Sequence, residues 1–213
     1  METPRPRIVS LLPSITEVLC ELGLSDNIVG ITHCCDYPPD LINSGRAKVV
    51  TTSDVDPRTM SQAEIHETVC GSLKNGQSLY GMKKEVLQSV RPEFVFTQSL
   101  CDVCAVSYPV VLDTCAKLLG GGMIKNDDGS CPLPSVSKSA GDATLNPKVI
   151  SLEPENLEDC LKTFHVAAKA IGSPGLIAKA NEITSRMDSA FNKIRETVKD
   201  RPRPKVAFIE WRE

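Results

Sequence analysis

Residues 7–39 read RIVSLLPSITEVLCELGLSDNIVGITHCCDYPP, and this stretch decides the fold. Ile8, Val9, Leu11 and Leu12 form a short apolar run, which predicts a strand. Pro13 stops further strand pairing. Ser14 followed three residues later by Glu17 has the spacing of a capping box. Ile15, Val18, Leu19 and Leu22 fall on one helical face, and Gly23 stands where a left-handed stop is expected. Asn27 to Thr32 (NIVGIT) supplies a second strand. A strand, helix and strand joined this tightly make a βαβ unit with a right-handed crossover, hence a parallel sheet. Ligands of such sheets sit at the carboxyl ends of the strands. Pro13-Ser14 and His33 to Tyr37 both lie at carboxyl ends, so the expectation is that they share one rim.

Working outward, 213 residues suffice for one large domain or two small ones. The formal net charge of −3 gives no electrostatic footing for nucleic-acid binding. No apolar run has the length of a bilayer span. The start, METPRPRIVSLL, goes directly into a strand without an apolar signal core, so the expected location is cytoplasmic. Nine cysteines, an odd number, then point to packing, metal binding or redox chemistry rather than to a disulfide framework.

Further along, a short strand is expected over Lys48 to Thr51. Ser61 and Glu64 form a second capping box, opening a helix that carries Ile65, Val69 and Leu73 inward. Gly71 to Gly81 reads as a polar loop. A short helix (Lys83 to Val90), a strand (Glu93 to Gln98), an exit loop (Cys101 to Cys104) and a helix (Ser107 to Leu119) follow. Gly120 to Pro147, with its glycine triplet and serines, reads as a solvated loop or insertion. Lys148 to Leu152 is a strand, and Leu157 to Ile171 a helix. After the break at Gly172 to Gly175, apolar residues keep helical spacing from Leu176 to about Lys199. Arg201-Pro202-Arg203-Pro204 ends that helix, and KVAFIEW, Lys205 to Trp211, reads as a last strand.

This pattern resembles the helical-backbone (class III) solute-binding proteins, the group that contains the periplasmic cobalamin- and iron-siderophore-binding proteins of ABC transporters. The similarity is strongest to a branch without a signal peptide. It is carried by residues 7–39, by Ser78 to Tyr80 (SLY), by Thr97 to Ser107 (TQSLCDVCAVS) and by Ser151 to Pro154 (SLEP). It implies two α/β lobes joined by one long helix, with ligand held in the cleft between them. The expected organisation is a Rossmann-like parallel-sheet lobe over 1–152, containing the 120–147 insertion. A helical segment over 153–200 includes the connecting helix, and 205–213 is the first strand of a truncated second lobe. The implied role is non-catalytic binding of cobalamin or a related metal chelate, a small-molecule partner. By the resemblance Asp36 and Tyr37 line the cleft, Tyr80 and Gln98 stand at lining positions, and Trp211 is either a core plug or part of the far wall. Ser14 caps a helix or offers the helix N-terminus to an anionic edge. Glu85 matches a transporter-docking position of exported relatives, though a solvated helix charge is the simpler reading.

The alternative is thiol chemistry. Cys101-x-x-Cys104 has the spacing of half a metal site or of a dithiol pair. The bland reading is two small residues at a helix start. His33, Cys34 and Cys35 could complete a metal set if the two loops meet. Adjacent cysteines on an extended chain point to opposite sides, so at most one of Cys34 and Cys35 faces such a site. Cys20, Cys70, Cys115 and Cys160 read as small apolar fillers within helices, and His66 and His165 as surface or core residues. No Ser-His-Asp order, paired carboxylates or phosphate-cradling glycine loop argues for an enzyme.

Overall fold

The structure, a computed structural model, describes residues 6–75, 78–99, 105–119 and 147–208. Among these, five strands form one parallel sheet: β1 (Ile8–Ser10), β2 (Ile28–Ile31), β3 (Lys48–Val49), β6 (Phe94–Thr97) and β7 (Lys148–Ser151), in the order β3-β2-β1-β6-β7. Two more, β4 (Thr51–Ser53) and β5 (Tyr80–Met82), pair antiparallel as a small separate sheet. The helices are α1 (Pro13–Glu21), α2 (Pro39–Asn43), α3 (Gln62–Lys74), α4 (Lys84–Val90), α5 (Tyr108–Leu119), α6 (Leu157–Ile171) and α7 (Pro174–Val198).

The central strands are buried on both faces, as a parallel sheet clad in helices requires. Their side chains alternate between two cores. Ile8, Phe94, Phe96 and Ile150 point to the core shared with α1, α6 and α7. Val9, Val95 and Val149 point to the core closed by α4 and α5. Phe96 is fully buried, and burying a side chain of that size is worth about 1.5–3 kcal/mol. Gly30 of β2 is required by crowding, since a Cβ there would stand 2.9 Å from both Val9 Cγ2 and Val50 Cγ1.

The first βαβ unit forms as expected, with one correction at its helix. Leu12 occupies the N-cap of α1 and makes no side-chain cap bond, while Pro13 takes the first helical position. Ser14 and Glu17 thus form no capping box. Proline is favoured at this place because its missing N–H would be unpaired anyway and its φ is already helical. The other end is as read: Gly23 has φ +85°, the Gly23 N–H bonds to Cys20 O, and the Leu24 N–H to Leu19 O, a Schellman stop.

Four further expectations change. Lys48 to Thr51 is two strands meeting at Val50, whose N–H bonds to Ile31 O while its carbonyl accepts from the Lys83 N–H. Gly71 to Gly81 is the end of α3 and then β5, in place of a continuous loop. The capping box of α3 forms, with the Glu64 N–H bonding to Ser61 Oγ, yet α3 buries no residue and Leu73 is exposed. Lys205 to Phe208 form no strand, and Val206 and Phe208 are exposed. Residues 209–211 of the expected last strand lie outside the described residues.

α6 and α7 match the sequence reading closely. Asn156 caps α6 by accepting from the Asp159 N–H at 3.0 Å. Gly172, φ +81°, ends it. α7 runs back along α6, tied by His165 Nε2 and Thr184 Oγ1 at 3.1 Å. No helix among the described residues is long and apolar enough to cross a membrane.

Candidate functional site

In this sheet the chain winds outward from β1 through β2 to β3, then returns to the other side of β1 for β6 and β7. The topological switch point is therefore at the carboxyl ends of β1 and β6, where open α/β sheets bind their ligands. The segments leaving the strands there are Leu11 to Ser14, Thr32 to Tyr37, Gln98-Ser99 and Leu152 to Pro154.

Several bonds weld these segments into one rim. Cys35 Sγ lies 3.1 Å from Thr16 Oγ1, which itself donates to Ser10 Oγ at 2.8 Å. The exit loop of β2 is thus anchored to α1. Ser99 Oγ and Ser151 Oγ both donate to Glu153 Oε1, tying the exits of β6 and β7. Tyr37 stands 55% exposed on this rim, followed by a cis bond to Pro38. Asp36 is also exposed, and Gln98 is buried.

A second knot surrounds His33. Thr51 Oγ1 donates to Thr32 Oγ1 at 3.1 Å. It also accepts from the His33 backbone N–H at 2.9 Å and lies 2.8 Å from His33 Nδ1. Since the Thr51 proton goes to Thr32, His33 carries its own proton on Nδ1. Nε2 then presents a lone pair, 3.2 Å from Cys34 Sγ. The His33 ring stacks on Tyr80. Burial, then the charge of Lys83, hold the His33 imidazole below its usual range. Burial, then the nearby Cys34, push the Tyr80 phenol up.

The cysteines divide by environment. Cys34 is exposed, while Cys35 turns into the core, where burial raises its thiol pKa despite the Thr16 bond. Of the proposed metal set, only His33 and Cys34 stand together here; Cys101 and Cys104 lie outside the described residues, as do Trp211 and Cys131. Among the described residues no three His, Cys, Asp or Glu side chains gather as a metal site. Cys115 is a buried filler whose thiol is pushed up to about 12 by desolvation. Cys160 is exposed instead.

The surface carries two hollows, of which the apolar one reaches the rim. This apolar hollow, of about 280 Å³, is bordered by Ser14, Ile15, Gln98, Leu152, Phe164 and Met187, so Ser14 and Gln98 both line it. The other, about 370 Å³, follows the α6–α7 groove from Leu157 to Arg195. Sequence reasoning missed the roles of Thr51, Thr32 and Thr16 in fixing the rim. Their only sequence signal is polarity, with Thr32 just after the apolar strand β2, Thr51 opening β4 and Thr16 inside α1. Glu85 is exposed in the first turn of α4.

The fold has counterparts among solved structures. A possible iron-binding (periplasmic solute-binding) protein from Staphylococcus epidermidis ATCC 12228 superposes with TM-score 0.55 at 18% identity, over 92% of this chain and 52% of the other. The periplasmic heme-binding protein RhuT from Roseiflexus sp. RS-1, in apo form, gives 0.53 at 15% identity, over 93% and 52%. An ABC transporter substrate-binding protein from Listeria monocytogenes EGD-e gives 0.51 at 12% identity, over 93% and 51%. The chain has the fold of a solute-binding-protein lobe and spans about half the length of these neighbours. No protein-family model and no curated protein matches it.

Proposed function

We propose that this chain is a non-catalytic binding protein whose carboxyl-end rim forms one wall of a cleft for a metal chelate. A corrinoid such as cobalamin is the first candidate, and an iron chelate or haem the second. The observation that carries the reading is the rim itself. At the switch point of the sheet it sets an exposed Tyr37, the His33–Tyr80 stack and Gln98, the last of which borders an apolar hollow. Flat aromatic surface and a few fixed polar groups suit a large planar macrocycle better than a small polar solute. Two of the structural neighbours are named for iron or heme binding, which supports the same class.

The roles follow from position. Tyr37 offers its ring as a face for the macrocycle. Gln98 and Ser14 supply polar contacts at the edge of the hollow. The welds Cys35–Thr16 and Ser99–Glu153 hold these groups in place before ligand arrives, which lowers the ordering cost of binding.

Titrating the purified protein with cobalamin, with haemin and with a ferric hydroxamate, each followed by its own absorption band, tests the proposal. Saturable spectral change with one of the three supports it; no saturable change with any overturns it.

A second reading rests on His33 Nε2 and Cys34 Sγ lying 3.2 Å apart. It takes these as ligands of a thiolate-bound metal completed by Cys101 and Cys104. Metal analysis of the wild type against Cys101→Ser and Cys104→Ser decides it: equal metal content in all three rules it out.

A further inference from the structure

We propose that Cys34 is a reactive thiol, activated by His33 as base and positioned through Thr51, that exchanges with small disulfides to place a mixed disulfide on the binding rim. This goes beyond chelate binding, and its test does not depend on it.

The argument is geometric. A nucleophile needs a base within reach and a third group that orients the base. Cys34 Sγ is exposed and 3.2 Å from His33 Nε2. Thr51 Oγ1 accepts from both the backbone N–H and Nδ1–H of His33, having given its own proton to Thr32. That network fixes the tautomer with the Nε2 lone pair toward the sulfur. The ring is also clamped against Tyr80. The other cysteine–histidine pair among the described residues lacks these supports. Cys70 Sγ lies 3.6 Å from His66 Nε2 and 3.9 Å from Nδ1, one turn along the exposed surface of α3, with nothing orienting the ring. Cys160 is exposed with no imidazole bonded to it, and Cys35 and Cys115 are buried. Reactive thiols are exposed ones with a proton acceptor or cation at hand, and Cys34 is exposed with the His33 imidazole as acceptor.

The step balances as a thiol–disulfide exchange. Nε2 takes the Cys34 proton, Sγ attacks one sulfur of the small disulfide, and the S–S bond breaks. The departing thiolate takes the proton back from Nε2 and leaves as a free thiol. Cys34 is oxidised to the mixed disulfide, and the small disulfide supplies the oxidising equivalent. The adduct stands three residues from Tyr37, where it would occupy the rim, so redox state and ligand access become linked.

Oxidised glutathione is the probe. The native protein is treated for short times, quenched, and all nine cysteines are mapped by peptide mass. Cys34 is expected to be modified faster than Cys70 and Cys160 by about a hundredfold, the lower end of what a positioned base contributes. His33→Gln is expected to remove that advantage. Thr51→Val is expected to move the pH profile of the rate, since it frees the imidazole from its fixed tautomer. The groups facing His33 that bear on that profile are Cys34, Tyr80 and Lys83. Cys34 reacting no faster than Cys160 overturns the proposal, as does a His33→Gln protein that keeps the wild-type rate and pH dependence. The ranking within the wild type decides the matter alone if a variant fails to fold.

Discussion

The His33 ring lies over the Tyr80 ring, centroids 5.5 Å apart and planes 29° from parallel. This contact seats the exit loop of the parallel sheet on the small antiparallel sheet, and it partly shields the imidazole from water.

The shielding has a consequence for acid stability. Burial and Lys83 lower the folded-state pKa of His33 from its ordinary 6.5. On acidification the unfolded chain therefore binds this proton first, and the folded state loses stability as pH falls below 6.5. Above that pH the imidazole is neutral in both states and contributes no pH dependence. His33→Gln should lose less stability than wild type between pH 8 and pH 5, by urea midpoints (about the range over which a histidine changes charge). Equal losses would contradict this.

The two serine–glutamate spacings should behave differently. Ser61 Oγ accepts from the Glu64 N–H while the Ser61 N–H donates back to Glu64 Oε2, whereas Ser14 makes no cap bond. Ser61→Ala should cost about 1 kcal/mol, and Ser14→Ala should stay within about 0.5 kcal/mol. Chemical denaturation of the two variants checks both values.

Glycines at two places should respond with opposite sign. Gly30→Ala drives a methyl against Val9 and Val50, and overpacking of this kind costs about 1–3 kcal/mol. Gly71→Ala, in α3 with open space around it, should gain about 0.5–1 kcal/mol from helix propensity. Thermal melts of the pair give the comparison directly.

Thr97 ends β6 fully buried, and its Oγ1 has no hydrogen-bond partner among the described residues. Replacing an unpaired buried hydroxyl by a methyl removes a desolvation cost of about 1–3 kcal/mol. Thr97→Val should match or exceed the wild-type melting temperature, and a clear drop would show that the hydroxyl is paired in solution.

What the sequence showed and what it hid follow from the range of the interactions involved. β1, β6, β7 and α6 were legible because apolar runs and local stop signals act over a few residues: Gly23 and Gly172 are both in the left-handed region where they were needed. β4 and β5 were not, because Thr51-Thr52-Ser53 and Tyr80-Gly81-Met82 have no apolar period and are strands only through each other. The Ser14 spacing misled because Pro13 claims the first helical position. At the site, the cluster of His33, Cys34 and Cys35 was visible as composition. Its geometry was not, since the inward turn of Cys35 and the tautomer of His33 are set by Thr16 and Thr51, each about twenty residues away in sequence (19 and 18).

The central claim is that the carboxyl-end rim binds a metal chelate. Amide hydrogen exchange with and without saturating cobalamin, haemin or ferric hydroxamate tests it most directly. The account predicts slowed exchange at residues 33–37, 80–82 and 98–99, with α3 unchanged. Protection confined to other segments, or none with any of the three chelates, would contradict it.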